Sequence, residues 1–285
     1  MTSTSSASKT GSVRRYYDRH TESFLSYGQG GHHGCIHRAV WGAGVETREQ
    51  AFHYVDNILA TTLAKHSLTD NATHIIDLGC GIGASLCYLA NKFPIHGTGI
   101  TLSSVQQRIA SRRIQEAGLQ QRIQCVVGDY SDLSLVLPPA DLAYAIESFV
   151  HSPDPEAFFA QCKRVVRRDG LLLICDDVLQ ASTDPRATPF VKRYKRGWHV
   201  HTLIEHHQLK QMAFDAGFRH CSTSNLTQHL ELARPRDRGL SVLSGLLAWL
   251  PMNYCLGHLR GGSALNKCLR RGWIGYEAML FQRTG

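Results

Sequence analysis

Residues 74–83, which read HIIDLGCGIG, constrain the fold of this chain more than any other stretch. A short apolar run leads into Asp77, and three glycines, Gly79, Gly81 and Gly83, follow at alternate positions. Glycine has no Cβ and readily adopts left-handed conformations, so the backbone of such a turn can approach a ligand closely. The pattern predicts a buried strand and a tight turn against a nucleotide-like ligand, at the carboxyl end of a parallel sheet.

The spacing separates two kinds of cofactor turn. Dinucleotide-binding turns use GxGxxG and hold phosphates at the next helix N-terminus, whereas this turn reads DxGxGxG with the acid in front. A carboxylate at the strand end suits a cationic group better than a pyrophosphate. The pattern resembles motif I of class I S-adenosylmethionine (SAM) dependent methyltransferases, and an ordinary tight turn is the alternative.

The composition is that of a globular chain with a cationic surface. Hydrophobic residues make up 43% and charged residues 19% of the 285 positions, and the formal net charge is +8. This charge favours an anionic partner, which leaves nucleic acid, a membrane surface or a phosphorylated small molecule open. Nine scattered cysteines without CxxC spacing, and a polar start without the apolar core of a secretory signal, favour a cytoplasmic protein.

Apolar runs alternate with helical patterns along most of the chain. We expect strands at residues 74–78, 93–100, 123–127, 142–146, 171–175, 218–224 and 276–282. A capping box at Thr47 opens a helix before the first strand, and Thr202 to Glu205 has the form of a second capping box. Asp154 and Pro155 form an N-cap and first-turn pair for another helix. The rhythm predicts an α/β fold, a doubly wound seven-stranded Rossmann-like methyltransferase sheet with an N-terminal helical cover and insertions after strands 5 and 6.

The same pattern predicts how the chain is divided. About fifty residues separate the last two strands, where a short hairpin would suffice. The apolar run 240–250 in this interval is too short to span a bilayer, and core burial is its simplest explanation. We expect a disordered tail at 1–12, a helical cover at 13–70, a SAM-binding core at 71–177, a substrate-binding insertion at 178–201, a core helix and strand at 202–225, a lid insertion at 226–275 and a final strand at 276–285.

Two further blocks extend the family resemblance. After the second strand, GITLSSVQ has no acid where many methyltransferases hold the ribose hydroxyls. This block resembles the subgroup of sterol C-methyltransferases, tocopherol-type methyltransferases and cyclopropane fatty acid synthases. The next block, GDYSDL, places Asp129 where the family contacts adenine, although such an aspartate is also a common turn cap. The resemblance covers residues 45–225 and implies SAM as cofactor, bound by Asp77, Gly79, Gly81, Gly83, Thr101, Ser103, Gln106, Asp129, Tyr130 and Ile146.

The segment after the fourth strand, AIESFVHSPDPEAF, carries the candidate chemistry. Its Glu147, Phe149 and His151 resemble the EATCHAP-like segment of sterol C-methyltransferases, whereas the (N/D)PPY sequence of purine and amide N-methyltransferases is absent. Methylation of an alkene carbon creates a carbocation that needs a base and an electron-rich wall. We predict Glu147 as that base, with a helix-start carboxylate as the alternative. His151 would shuttle the proton, orient the glutamate or serve a structural role.

The N-terminal segment RRYYDRHTESFLSYGQGGHHGCIHRAVW is rich in polar and aromatic residues. In related small-molecule methyltransferases this region folds over SAM, which implies a catalytic contact for Tyr17. His32, His33 and His37 lack partners at zinc-finger spacing, so we do not expect a metal there. Simple packing is the alternative for the aromatic residues. The predicted substrate-binding residues are Tyr16, His37, Trp41, Phe149, Lys192, Arg193, Arg196 and Trp198.

Charged residues suggest the kind of substrate. Lys192, Arg193, Lys195 and Arg196 lie in the insertion after strand five, and Arg14, Arg15 and Arg38 lie in the N-terminal cover. Guanidinium groups bind phosphate oxygens bidentately, so these residues are candidates for a diphosphate clamp, and a solvated basic face is equally consistent with them. Asp176 and Asp177 follow strand five and are candidate Mg²⁺ ligands or ordinary loop carboxylates.

Three functions follow from these patterns. The first is C-methylation of an isoprenoid alkene, with a prenyl diphosphate preferred; the second is O- or N-methylation of an apolar or aromatic natural product. The third is a SAM-binding module without catalysis, or an RNA-associated protein. We favour an enzyme that acts on a small molecule, both anionic and apolar, without nucleic acid or stable membrane insertion. A homo-oligomer is left open.

Overall fold

The computed structural model describes residues 3–27, 37–181, 184–232 and 257–285. The predictions for His32, His33 and the apolar run 240–250 lie outside these residues. The helices are α1 (Ser3–Tyr27), α2 (Arg48–Phe52), α3 (Tyr54–Lys65), α4 (Ala84–Lys92), α5 (Ser104–Glu116), α6 (Pro155–Val165), α7 (Ala187–Gly197), α8 (His206–Asp215) and α9 (Gly257–Arg270). The strands are β1 (His74–Leu78), β2 (His96–Thr101), β3 (Ile123–Val127), β4 (Ala140–Ile146), β5 (Val166–Leu179), β6 (Phe218–Asn225) and β7 (Ile274–Arg283).

The strands described form one sheet in the order β3-β2-β1-β4-β5-β7-β6. The first five are parallel, and β7 runs antiparallel between β5 and β6. The strand order reverses between β1 and β4, which are neighbours in the sheet. Ligands of open α/β sheets bind outside the carboxyl ends of the strands at such a point. The predicted seven-stranded Rossmann-like fold is confirmed.

Two apolar layers cover the faces of the sheet. Leu59, Leu86 and Ile114 bring α3, α4 and α5 against one face, and Phe158 and Leu209 bring α6 and α8 against the other. Burial on both faces explains why the strands read as nearly continuous apolar runs. No helix among the described residues is long and apolar enough to cross a bilayer.

Several local predictions are confirmed by their contacts. Thr47 caps α2 and accepts a hydrogen bond from the Gln50 backbone N–H at 3.2 Å. Asp154 caps α6 through the Ala157 N–H at 3.0 Å, and Pro155 occupies the first turn, where its missing N–H costs no hydrogen bond.

Two local predictions are wrong. Residues 3–12, expected as a disordered tail, belong to α1, because tertiary contacts hold this polar helix against the sheet edge. Thr202 does not cap α8: its hydroxyl donates to the Ser152 carbonyl at 2.6 Å, and the capping box is formed by Glu205 and Gln208. Both errors arise from long-range contacts that compete with local propensity.

Candidate active site

The glycine turn after β1 is tightly folded between its neighbouring strands. Gly79, Gly81 and Gly83 have positive φ angles of 100°, 53° and 72°. The Gly79 backbone N–H donates to the Ile100 carbonyl on β2 at 2.9 Å. A Cβ on Gly79 would lie 2.4 Å from Cβ of Ser148, which follows β4. Residue 79 therefore has to be glycine for steric and conformational reasons, as the motif predicts.

Asp77 is a buried carboxyl at the end of β1. Burial raises the pKa of Asp77 to about 8, the neighbouring Tyr144 side chain opposes that rise, and nearby Asp56 adds to it. No ion pair joins Asp77 to a lysine, arginine or histidine in the described part of the chain. A carboxyl in this situation is stabilised by a cationic ligand group, and the sulfonium and ammonium groups of SAM meet that requirement.

Three of the predicted ribose-site residues form one hydrogen-bonded set at the end of β2. The Thr101 hydroxyl donates to Gln106 Oε1 at 2.7 Å, and the Ser103 hydroxyl accepts from the Gln106 backbone N–H at 3.1 Å. The Ser103 hydroxyl donates in turn to Asp18 Oδ1 on α1 at 2.6 Å. The structure thus adds Asp18, which the sequence motifs do not point to, to this part of the crevice.

The remaining predicted cofactor residues lie at the carboxyl ends of β3 and β4. Asp129, just after β3, accepts from the Ser131 N–H at 2.8 Å and from the Thr10 hydroxyl on α1 at 3.2 Å. Tyr130 is buried and donates to the Ser148 carbonyl at 2.7 Å, and Ile146 ends β4. Tyr130 therefore supports the loop after β4, and the roles of these residues in SAM binding stay predictions.

Glu147 is the first residue after β4 and adopts a left-handed conformation, with φ of 50°. Its Oε1 accepts the Arg38 backbone N–H at 2.8 Å and the Tyr276 hydroxyl at 3.0 Å. Its Oε2 lies 3.8 Å from Arg38 Nε, and the side chain is 16% exposed. One carboxylate oxygen is thus held by two donors, while the other has only a long ion-pair contact.

Arg38 is the cation beside Glu147. Its guanidinium makes a bidentate contact with Asp177 at 2.6 and 2.8 Å, and it lies 4.7 Å from the centre of the Tyr276 ring. Burial opposes the charge, but Asp177 and Glu147 hold the pKa of Arg38 well above its usual value. The Tyr194 hydroxyl from α7 also donates to Asp177. The sequence gives no local signal for Tyr194 or Tyr276, since neither belongs to a motif.

Asp176 and Asp177, the candidate Mg²⁺ ligands or ordinary loop carboxylates, are engaged with other groups of the chain. Asp177 is occupied by Arg38 and Tyr194, and its side chain is fully buried. Asp176 accepts the backbone N–H groups of Val150 and Asp177, and burial raises its pKa well above the usual value. No group of three or more histidine, cysteine, aspartate or glutamate side chains is placed to hold a metal in the described residues.

His151 and Tyr17 form a neutral pair. The Tyr17 hydroxyl lies 2.9 Å from His151 Nε2, and His151 Nδ1 lies 3.2 Å from the His199 carbonyl. Burial lowers the pKa of His151 to about 4, so the ring is neutral at pH 7. Nδ1–H therefore donates to the carbonyl, and Nε2 accepts the Tyr17 hydroxyl. With both nitrogens engaged, His151 contacts α1 through Tyr17, which favours the structural role among the three that the sequence leaves open.

Four of the predicted substrate-binding residues contact other residues of the chain. His37 Nε2 lies 3.1 Å from the Phe52 carbonyl, and Trp41 Nε1 donates to Glu231 at 3.3 Å. Phe149 is buried in the core layer beneath the sheet, which explains its apolar character without a substrate. Tyr16 is buried between the rings of two histidines.

The basic helix α7 does not form the predicted clamp. Lys192, Arg193 and Arg196 are exposed on its outer face, whereas Tyr194 is its buried residue. Trp198 is half-buried and packs against Tyr194, with ring centres 6.3 Å apart. The alternative of a solvated basic face accounts for these side chains, and the cation nearest to Glu147 is Arg38.

Comparison with known proteins finds similarity to methyltransferases. A family model for a methyltransferase domain matches residues 76–174. An O-methyltransferase from Pyrenophora dematioidea is 27% identical over 219 residues, which are 76% of this chain and 79% of that protein. The chloroplastic tocopherol O-methyltransferase of Arabidopsis thaliana is 36% identical over 100 residues, 35% of this chain and 29% of that protein.

A solved structure shares the fold over most of the chain. Geranyl diphosphate C-methyltransferase from Streptomyces coelicolor, solved with Mg²⁺, geranyl diphosphate and S-adenosyl-L-homocysteine, superposes with a TM-score of 0.68 and 15% identity. The match covers 97% of this chain and 98% of the other. At this identity the likeness establishes the fold and leaves the substrate open.

Proposed function

We propose that this chain, which is a SAM-dependent methyltransferase, transfers a methyl group to a hydroxyl oxygen of a small apolar molecule, with Glu147 as the general base. The observation that carries the proposal is the unequal pairing of the two Glu147 oxygens. As the new O–C bond forms, the hydroxyl loses its proton, and Oε2 is the oxygen free to accept it. The methyl–sulfur bond breaks, its electron pair stays on sulfur, and S-adenosylhomocysteine leaves.

The residues present fit SAM as the methyl donor. SAM supplies a methyl group made electrophilic by its sulfonium sulfur. The buried carboxyl of Asp77, without a cationic partner in the described residues, would bind the positively charged end. Gly79 would allow the backbone to approach the cofactor, Gln106 would bind the ribose, and Asp129 would bind the adenine. These groups would align the methyl group and exclude water, which is most of what methyl transfer requires of a protein.

Three observations favour oxygen over an alkene carbon as acceptor. The Tyr276 hydroxyl donates to Glu147, and the Arg38 guanidinium covers a face of the Tyr276 ring. A carbocation beside this ring would therefore have to compete with a fixed cation. The exposed position of Lys192 and Arg193 removes the support for a diphosphate clamp. The Pyrenophora relative, which aligns with 76% of this chain, is named an O-methyltransferase.

C-methylation of an isoprenoid, our first hypothesis from sequence, would use the same carboxylate and is the alternative outcome of the test. Purified protein is incubated with SAM carrying a trideuterated methyl group and a panel of phenols, apolar alcohols, sterols and prenyl diphosphates. We expect a trideuteromethyl ether, located by mass spectrometry and NMR. A trideuteromethyl group on carbon would overturn the assignment of the acceptor.

A pair of variants tests the base with the substrate so identified. Glu147→Gln keeps the size of the side chain and removes its basicity, so product formation should fall about 100-fold or more. Glu116→Gln, at an exposed position at the end of α5, is the matched control and should behave as the unmodified protein. Equal activity in the two variants would show that Glu147 is not the base.

A further inference from the structure

We infer that Asp18 of α1 supplies the carboxylate that accepts the ribose hydroxyl protons of SAM, an inference that rests on the proposed SAM site but not on the acceptor atom or on Glu147. Asp18 precedes the first strand by more than fifty residues and belongs to none of the cofactor motifs. The structure nevertheless brings its side chain to the end of β2, within 2.6 Å of the Ser103 hydroxyl.

A ribose diol needs acceptors as well as donors. Each hydroxyl carries one proton to donate, and a carboxylate is the strongest acceptor that a protein side chain offers for it. The end of β2 carries Thr101, Ser103 and Gln106 and no acidic residue. This edge of the crevice therefore lacks a carboxylate unless another part of the chain supplies one.

The polar groups already at the end of β2 are engaged with one another. The Thr101 hydroxyl donates to Gln106 Oε1 and accepts the Ser103 backbone N–H at 3.3 Å. The Ser103 hydroxyl accepts from the Gln106 backbone and donates to Asp18. Gln106 retains its amide N–H groups as donors, so the acceptor with spare capacity in this set is the Asp18 carboxylate.

The Asp18 carboxylate is fixed in place and still accessible. Ser103 anchors Oδ1, whereas Oδ2 has no hydrogen bond to another residue in the described ranges, and the side chain is only partly buried. A second contact, from Thr10 to Asp129 at 3.2 Å, ties the preceding turns of α1 to the end of β3. The helix thus passes the ends of both β2 and β3, and Asp18 lies at the end of β2.

The experiment separates a ribose contact from a structural contact. Binding of S-adenosylhomocysteine and of its 2′,3′-dideoxy analogue, which lacks both ribose hydroxyls, is measured by calorimetry. We expect Asp18→Asn to raise the dissociation constant for S-adenosylhomocysteine about tenfold or more, and to leave that of the dideoxy analogue unchanged. Glu22→Gln, an exposed acid one turn further along α1, should change neither constant.

Other outcomes overturn the inference. If Asp18→Asn weakens the binding of both ligands equally, Asp18 only holds α1 in place. If it weakens the binding of neither ligand, the ribose binds elsewhere. Ser103→Ala provides a second test if Asp18→Asn does not fold: the carboxylate loses its anchor, and the discrimination between the two ligands should shrink but persist. Failure of the unmodified protein to bind S-adenosylhomocysteine would count against the proposed function instead.

Discussion

The cofactor side and the acceptor side of the crevice are built in different ways. On the cofactor side, Asp77, Thr101 and Asp129 each follow from a local strand–turn pattern, and neighbouring parallel strands bring them to one edge. On the acceptor side, Arg38 and Asp177 are 139 positions apart and meet through long-range packing. The first is a property of single motifs, whereas the second exists only when the whole sheet and its cover have assembled.

The two sides also differ in charge. Asp77 is buried without an ion-pair partner in the described residues, and its pKa is raised to about 8. Glu147 and Asp177 share the guanidinium of Arg38. The cofactor side thus has a buried carboxyl that a cation would stabilise, while the acceptor side already holds a cation of its own. On the acceptor side the chain itself supplies the positive charge, and on the cofactor side we propose that SAM supplies it.

The largest effect on stability is expected on the cofactor side. Gly79→Ala adds a Cβ 2.4 Å from Ser148 Cβ at a φ of 100°, and we expect a loss of about 3–5 kcal/mol in the free energy of unfolding. Gly81→Ala, where no atom lies within 4 Å, brings only backbone strain and should cost about 1 kcal/mol. Urea unfolding measures the free energy of unfolding of both variants. Equal losses would show that Gly79 is not held in a sterically tight turn.

On the acceptor side, Asp177→Asn tests the long-range network. The substitution leaves the buried Arg38 without its bidentate partner, and we expect a loss of about 3 kcal/mol in the free energy of unfolding. Asp184→Asn removes a carboxylate that pairs with exposed Arg186 and should cause little change. A loss no greater than that of the control would show that Arg38 and Asp177 are not a stabilising pair.

The two sides should respond to pH in opposite directions. Burial lowers the pKa of His151, near the acceptor side, to about 4. Its contribution to the free energy of unfolding is therefore fully present above pH 6.5 and is lost as the pH falls toward 4. Comparison with His151→Gln should show a relative loss of about 2 kcal/mol between pH 7 and pH 5. Urea unfolding at both pH values measures this difference.

Asp77 should give the opposite dependence of the free energy of unfolding on pH. Its pKa is raised from 3.8 to about 8, so the folded protein binds an extra proton in that window and loses stability as the pH rises through it. Asp77→Asn should therefore gain stability relative to the unmodified protein between pH 5 and pH 8 in the absence of SAM. Parallel pH profiles for the two proteins would contradict the uncompensated burial of Asp77.

The smallest effect is expected from Tyr276→Phe. The ring beneath Arg38 is kept, and the hydroxyl that donates to Glu147 at 3.0 Å is removed. Loss of one hydrogen bond to a carboxylate should lower kcat about fivefold to tenfold and leave the affinity for S-adenosylhomocysteine unchanged. A change in that affinity without a change in kcat would place Tyr276 on the cofactor side.

Sequence reasoning succeeded where structure follows from local pattern. The bounds of β1 and of the glycine turn, the capping by Asp154 and the order of strands and helices all come from short motifs and apolar periodicity. The resemblance of three blocks indicated cofactor residues that lie at the carboxyl ends of neighbouring parallel strands, and their role in binding SAM stays a prediction.

The same reasoning failed where contacts span the chain. The basic run in α7 predicted a clamp, but sequence alone does not say which side of the helix faces inward, and Tyr194 is the residue that does. Asp176 and Asp177 were left as candidate metal ligands or ordinary loop carboxylates, because no local pattern points to Arg38 as the partner of Asp177. Asp18 was missed for a related reason: its partner, Ser103, is 85 positions away.

The measurement that tests the central claim most directly compares Glu147→Gln with the unmodified protein in turnover and in binding of S-adenosylhomocysteine. If Glu147 is the base on the acceptor side, kcat falls about 100-fold or more while the dissociation constant stays within about twofold. Unchanged turnover would contradict the account, and so would a parallel loss of binding, because Glu147 would then belong to the framework of the cofactor site.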